Sequence, residues 1–162
     1  MPLTIRMTNL LIVLAVVAMM AVALYMEHAM GLEPCPLCVS QRMFVILVGI
    51  WALLAFVHHP GRIGRGVYAG LGVLSAVAGG AVSSRQLWLQ SLPASEVPAC
   101  GPGVDYILDT FPLLDALRVM LTGDGNCAEV AWSLFGISIP GWTLIGFILL
   151  GLAHLWQALR RR

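Results

Sequence analysis

The sequence contains no lysine, and only 10% of its 162 residues are charged, against roughly 25% in an ordinary soluble domain. Water is therefore not its main solvent. The nine arginines, scattered or grouped near the chain ends in a chain of net charge +1, leave no basic footprint for nucleic acid. No haem-attachment or flavin motif is present, so a redox role would need an electron carrier from outside. The four histidines, His28, His58, His59 and His154, are too dispersed for a metal site and are expected to be interfacial or loop residues without a role.

What the chain does have is apolar length: 59% of it is hydrophobic. Four spans of about 20 residues would occupy half of it. A single all-α membrane domain over 1–162 is expected, a four-helix transmembrane bundle with a long outer loop that carries a short interfacial amphipathic helix. The first apolar run, Leu10 to Met26, lies between Arg6 and Glu27 without a charge. Ala21-Val22-Ala23 resembles a signal-peptide cleavage site, but the run exceeds the roughly 7–15 residues of a signal core, so a retained span is expected. The expected spans are about 9–26, 39–57, 67–89 and 141–157, the last with Trp142 and Trp156 at the two interfaces.

The connection 58–66 holds Arg62 and Arg65 and no acid. Placing it in the cytoplasm with both termini puts Arg6, Arg62, Arg65, Arg160, Arg161 and Arg162 inside, and leaves Arg42, Arg85 and Arg118 outside with all eight acidic residues. The outer loops then cover about 27–38 and 90–140. In the third span, Gly72, Ala76 and Gly80, with Ser75, Gly79 and Ser83 beside them, let another helix approach closely. In the second outer loop, Leu113, Leu114, Leu117, Met120 and Leu121 follow Pro112 at helical spacing and predict the helix lying on the membrane.

All four cysteines fall outside. Cys35-Pro36-Leu37-Cys38 stands at the mouth of the second span, and Cys100 and Cys127 lie on the long loop. Four cysteines permit three pairings, and the adjacent pair closes a small ring of the kind that redox proteins open and remake. An oxidising outer compartment lets disulfides persist. A non-enzymatic scaffold braced by two disulfides remains an alternative. So does a four-cysteine zinc site, although the second pair lacks zinc-knuckle spacing.

Arg42 follows Cys38 by four residues, on the same helical face, where a charge begins to leave water. Arg42 either snorkels to headgroups or serves Cys38, whose anionic form gains from the helix N-terminus and the guanidinium. In the second case a lipid-soluble quinone can reach Cys38 laterally, with Arg42 stabilising the developing oxyanion. Cys100 and Cys127, on a mobile polar loop, would then receive electrons from a soluble thiol by exchange.

The segments Cys35-Pro36-Leu37-Cys38-Val39-Ser40-Gln41-Arg42, Pro98-Ala99-Cys100 and Gly125-Asn126-Cys127-Ala128-Glu129, the last followed by Trp132, together resemble the bacterial disulfide bond formation protein B (DsbB) family over nearly the whole chain. The resemblance implies a protein-thiol:quinone oxidoreductase of the bacterial inner membrane, with its cysteines periplasmic. A reduced DsbA-like thioredoxin-fold partner would attack Cys100 and release Cys127, which attacks Cys35. Cys38 is then left as a thiolate against ubiquinone, or menaquinone under low oxygen, beside Arg42. Relatives also line the quinone pocket from the outer end of the third span, which makes Arg85 and Gln86 secondary candidates. Some relatives carry glutamate where this chain has Gln41, so a more positive site is expected here. Vitamin K epoxide reductase homologues are the enzymatic rival, but their Cys-x-x-Cys pair would belong near the end of a later helix.

Overall fold

The computed structural model describes residues 4–160, so Arg161 and Arg162 lie outside the described residues. Its four long helices, α1 (Ile5–His28), α2 (Pro36–His58), α3 (Arg62–Gln90) and α6 (Ile139–Leu159), are each long and apolar enough to cross a membrane. Thr4 starts α1 earlier than the apolar run alone suggests, because its side chain accepts the Met7 amide at 3.3 Å. Pro36 sits in the first turn of α2 behind the extended N-cap Cys35.

The expected connection 58–66 shrinks to three residues, 59–61. His59 terminates α2 in the left-handed region at φ 46°, and Gly61 caps α3. The helix then runs through Gly64 and Gly66 despite their low propensity. Arg65 Nη2 helps by donating to the Arg160 carbonyl at 2.8 Å, which ties the start of α3 to the end of α6. The 29 residues of α3 span about 43 Å, more than the roughly 30 Å hydrocarbon core, so the helix tilts or its ends stand in the interfaces.

α3 packs chiefly on α6 and α2, and α2 packs on α1. A Cβ on Gly79 would run into the Phe147 ring, and one on Gly72 into the His154 imidazole. Ile12, Val16, Val45, Val48, Ala52, Ala76, Phe147 and Leu150 form the bundle core. Leu14, Val17, Leu53, Leu74, Leu149 and Leu152 point outward, while Ser75, Ser83 and Gln86 point inward. This is the pattern of a bundle solvated by lipid.

His154 departs from its expected interfacial placement. It is 1% exposed because Gly72 leaves a slot for its ring, and neither its Nε2 nor that of Gln157, 2% exposed, has a hydrogen-bond partner.

The long loop holds more structure than the single helix expected. α4 (Val104–Thr110) is followed by α5 (Leu113–Thr122), a 3-10 turn (Gly125–Ala128), and a two-residue-per-strand antiparallel hairpin of β1 (Ser133–Leu134) and β2 (Ile137–Ser138). α5 begins after Pro112 as the spacing predicts. It leaves Leu113, Leu114, Leu117 and Leu121 exposed, the face that an interface would take. Met120 turns inward, and its carbonyl accepts the Ser40 hydroxyl at 2.7 Å, which clamps α5 to the head of α2.

Candidate functional site

Helix α2 begins on the adjacent cysteine pair. Cys35 is its N-cap and Cys38 lies in its first turn, so the helical start turns the two sulfurs toward each other. Cys35 Sγ donates to Cys38 Sγ at 2.9 Å. Gln86, near the end of α3, donates from Nε2 to Cys35 Sγ at 3.3 Å and to Cys38 Sγ at 3.4 Å. Its Oε1 accepts from Gln41 Nε2 at 2.7 Å, and both glutamines are 3% exposed.

Cys127 joins the same cluster. It is fully buried against Leu37, Val82 and Leu89, with Cys35 packed at the edge of that group. A hydrogen bond from the Cys35 thiol favours the Cys127 thiolate and lowers its pKa, while bonding to Cys127 and then Cys38 pushes the Cys35 thiol well above its usual range. All four cysteines are thiols.

The local chain explains this placement. The Asp124 carboxylate accepts the Asn126 amide at 3.0 Å and starts the 3-10 turn. Gly123, at φ 74°, lets the backbone press against Leu37 and Leu89. Gly125 N donates to the Ala99 carbonyl at 3.2 Å, and Asn126 Nδ2 donates to the Gly101 carbonyl at 3.2 Å. Residues 98–101 and 124–127 are thus fastened side by side. Cys100 is exposed, so the expectation that both loop cysteines sit on a mobile, accessible segment is corrected for Cys127. The glycines and Asp124 seat its turn on the bundle head.

Beside the cysteines a cleft of about 1020 Å³ opens, lined by Met19, Met20 and Val45 of the bundle, by Cys38, Arg42 and Gln86, and by outer-loop residues such as Glu33, Asp105 and Trp132. Arg42 Nη1 forms an ion pair with Glu27 at the end of α1, and Nη2 donates to the Ala23 carbonyl at 3.4 Å. Glu27 thus supplies an acid to Arg42 from another helix, although residue 41 is a neutral glutamine. Glu27 also lines the cleft and escaped sequence reasoning. The available signal was an acid closing the first span close to the arginine of the second.

The structure brings Cys35, Cys38, Cys127, Arg42 and Gln86 together and sends Arg85 elsewhere. One residue on from Gln86, its side chain is turned about 100° around α3. Arg85 is exposed, stacks over Trp88 at 4.4 Å and donates to the Thr122 carbonyl at 3.3 Å, away from the cleft.

Residues 5–157 match the family described as disulfide bond formation protein DsbB. A protein of Saccharophagus degradans named disulfide bond formation protein B is 51% identical over 156 residues, covering 96% of this chain and 94% of that one. The protein of the same name from Marinobacter nauticus is 53% identical over 151 residues, 93% of this chain and 90% of its own. Disulfide bond formation protein B 1 of Pseudomonas aeruginosa is 47% identical over 143 residues, 88% of each chain. With a match over nearly its whole length, four membrane-crossing helices and a cluster of thiols at one end of the bundle, the chain belongs to the DsbB family of disulfide-forming membrane oxidoreductases.

Proposed function

We propose that the protein is a thiol:quinone oxidoreductase that reoxidises a DsbA-like thioredoxin-fold partner and passes the electrons to ubiquinone, with menaquinone serving under low oxygen. The observation that carries this reading is that Cys35 is hydrogen-bonded to Cys38 and packs against the buried cluster that holds Cys127. A relay between two cysteine pairs needs one sulfur within reach of both, and Cys35 occupies that place at the head of a cleft.

In the oxidised chain the pairs are Cys100–Cys127 and Cys35–Cys38. A partner thiolate attacks the exposed Cys100, and Cys127 leaves as a thiolate. The partner's second thiol resolves the mixed disulfide, departs with its own disulfide, and leaves Cys100 reduced. Cys127 then attacks Cys35 and displaces Cys38 as a thiolate. Cys100 attacks Cys127, which restores the loop pair and frees the Cys35 thiol. Two electrons have moved to the Cys35–Cys38 pair, and each step exchanges one sulfur–sulfur bond for another.

The cleft suits a quinone, with methionine and valine walls for an apolar ring and the Arg42 guanidinium near Cys38 for a carbonyl oxygen. A bound quinone supplies a two-electron, two-proton acceptor that departs as quinol. Arg42, oriented by Glu27 and the Ala23 carbonyl, stabilises negative charge developing next to Cys38.

The arginines at the far end of the bundle orient it. Arg6, Arg62, Arg65 and Arg160 lie at the end opposite the cysteines, which supports a cytoplasmic position for both termini and a periplasmic one for the thiols in the bacterial inner membrane. The test is Cys38→Ser. It should abolish quinone reduction while still trapping a mixed disulfide of the partner at Cys100, and equal quinone turnover in that variant overturns the assignment.

A further inference from the structure

We propose that Gln86, held in one orientation by Gln41, is a positioning residue that stabilises the reduced Cys35–Cys38 pair and so sets how strongly oxidising that pair is. The inference rests on reading Cys35 and Cys38 as a redox pair, and it concerns the protein without any quinone.

The geometry gives the amide a direction. Gln86 Oε1 is occupied by Gln41 Nε2 at 2.7 Å, so its Nε2 faces Cys35 Sγ at 3.3 Å and Cys38 Sγ at 3.4 Å. The oxygen lies farther from Cys38, at 3.7 Å. Released from Gln41, the side chain could rotate by half a turn and offer an acceptor to the sulfurs instead of two donors.

That direction distinguishes the oxidation states. A disulfide sulfur is a poor acceptor, whereas an N–H bond to a thiolate is charge-assisted and stronger. Reduction converts the disulfide, two electrons and one proton into a Cys35 thiol and a Cys38 thiolate, and only the product side gains the full Gln86 interaction. Both glutamines are neutral and 3% exposed, so the effect comes from aimed dipoles that water weakens little. The nearby cation, Arg42, is engaged by Glu27 on the cleft side.

The test is a redox titration of the full-length, quinone-free protein in detergent against a dithiol buffer. Each cysteine is scored by alkylation and mass spectrometry, and the thiolate is followed by its ultraviolet absorbance. Gln86→Leu should shift the equilibrium about tenfold toward the disulfide, which is ~30 mV for a two-electron couple. The midpoint of thiolate formation should rise by about one pH unit. The redox shift should vanish at a pH low enough to protonate Cys38 in the unsubstituted chain.

Gln41→Leu should give a smaller shift of the same sign and add nothing in the Gln86→Leu background. Gln86→His, which restores an N–H donor, should recover most of the loss. An unshifted Gln86→Leu chain of normal helicity overturns the proposal, and so does a shift of equal size at every pH, which would mark a packing effect. A Cys35–Cys38 pair that cannot be reversibly oxidised in the unsubstituted chain overturns the redox reading beneath it instead.

Discussion

Cys127 is carried by a connection of nearly fifty residues, yet it is fully buried in the cluster against which Cys35 packs. Such a contact makes an inter-loop disulfide a short step. Substituting Cys38 and Cys100 by alanine leaves Cys35 and Cys127 as the remaining cysteines, and mild oxidation of that variant should link them nearly quantitatively. Peptide mapping under non-reducing conditions reads the result. A chain that stays reduced, or that links only between molecules, contradicts the relay.

The same contact gives a pH dependence. Within the Cys35–Cys127 pair the proton leaves Cys127 first, because interaction with the Cys35 thiol lowers its pKa from the ordinary thiol value of 9.0. Its nucleophilic form therefore persists to lower pH than that of an ordinary thiol and is lost as pH falls through the lowered value. Cys35→Ala removes this partner, so the acid-side fall in Cys127 alkylation rate should move to higher pH. An unmoved profile would show that the hydrogen bond is not the cause.

Arg42 and Glu27 pair across two helices with side chains 22% and 28% exposed. Arg42→Ala should raise the quinone KM at least tenfold, and Arg42→Lys should recover it only in part, because an ammonium cannot hold Glu27 and the Ala23 carbonyl with one fork. Glu27→Gln should cost about 1 kcal/mol of stability or less, as a partly solvated pair does. Steady-state kinetics over a quinone series and thermal melts in detergent check the three variants. Equal KM values for arginine, lysine and alanine would remove Arg42 from the acceptor site.

Gly79→Ala sets a methyl group against the Phe147 ring where α3 and α6 are closest. Overpacking of this kind costs about 1–3 kcal/mol. The melting temperature in detergent should fall, while the redox equilibrium of the Cys35–Cys38 pair stays unchanged. An unaltered melt would mean that the ring moves aside freely.

The four helices and the amphipathic α5 were legible because hydropathy runs and helical spacing are local properties. The ends of the spans were less so. Thr4 extends α1 through a cap, and the contact of Arg65 with the Arg160 carbonyl accompanies a start of α3 ahead of its apolar run. At the site, the four-residue spacing from Cys38 to Arg42 was readable, whereas the Glu27 partner depends on how α1 leans on α2. The burial of Cys127 depends on Gly123, Asp124 and Gly125 fitting against a distant helix head, and that of His154 on the slot at Gly72. Neither leaves a periodic trace in the chain.

The relay from partner thiol to quinone is tested most directly by quinone-dependent reoxidation of a reduced thioredoxin-fold protein by purified membranes that contain this chain. One quinol should form per partner disulfide, activity should be lost in Cys38→Ser, and a partner adduct should still accumulate at Cys100. Reoxidation that proceeds equally without quinone, or that survives Cys38→Ser, would contradict the relay.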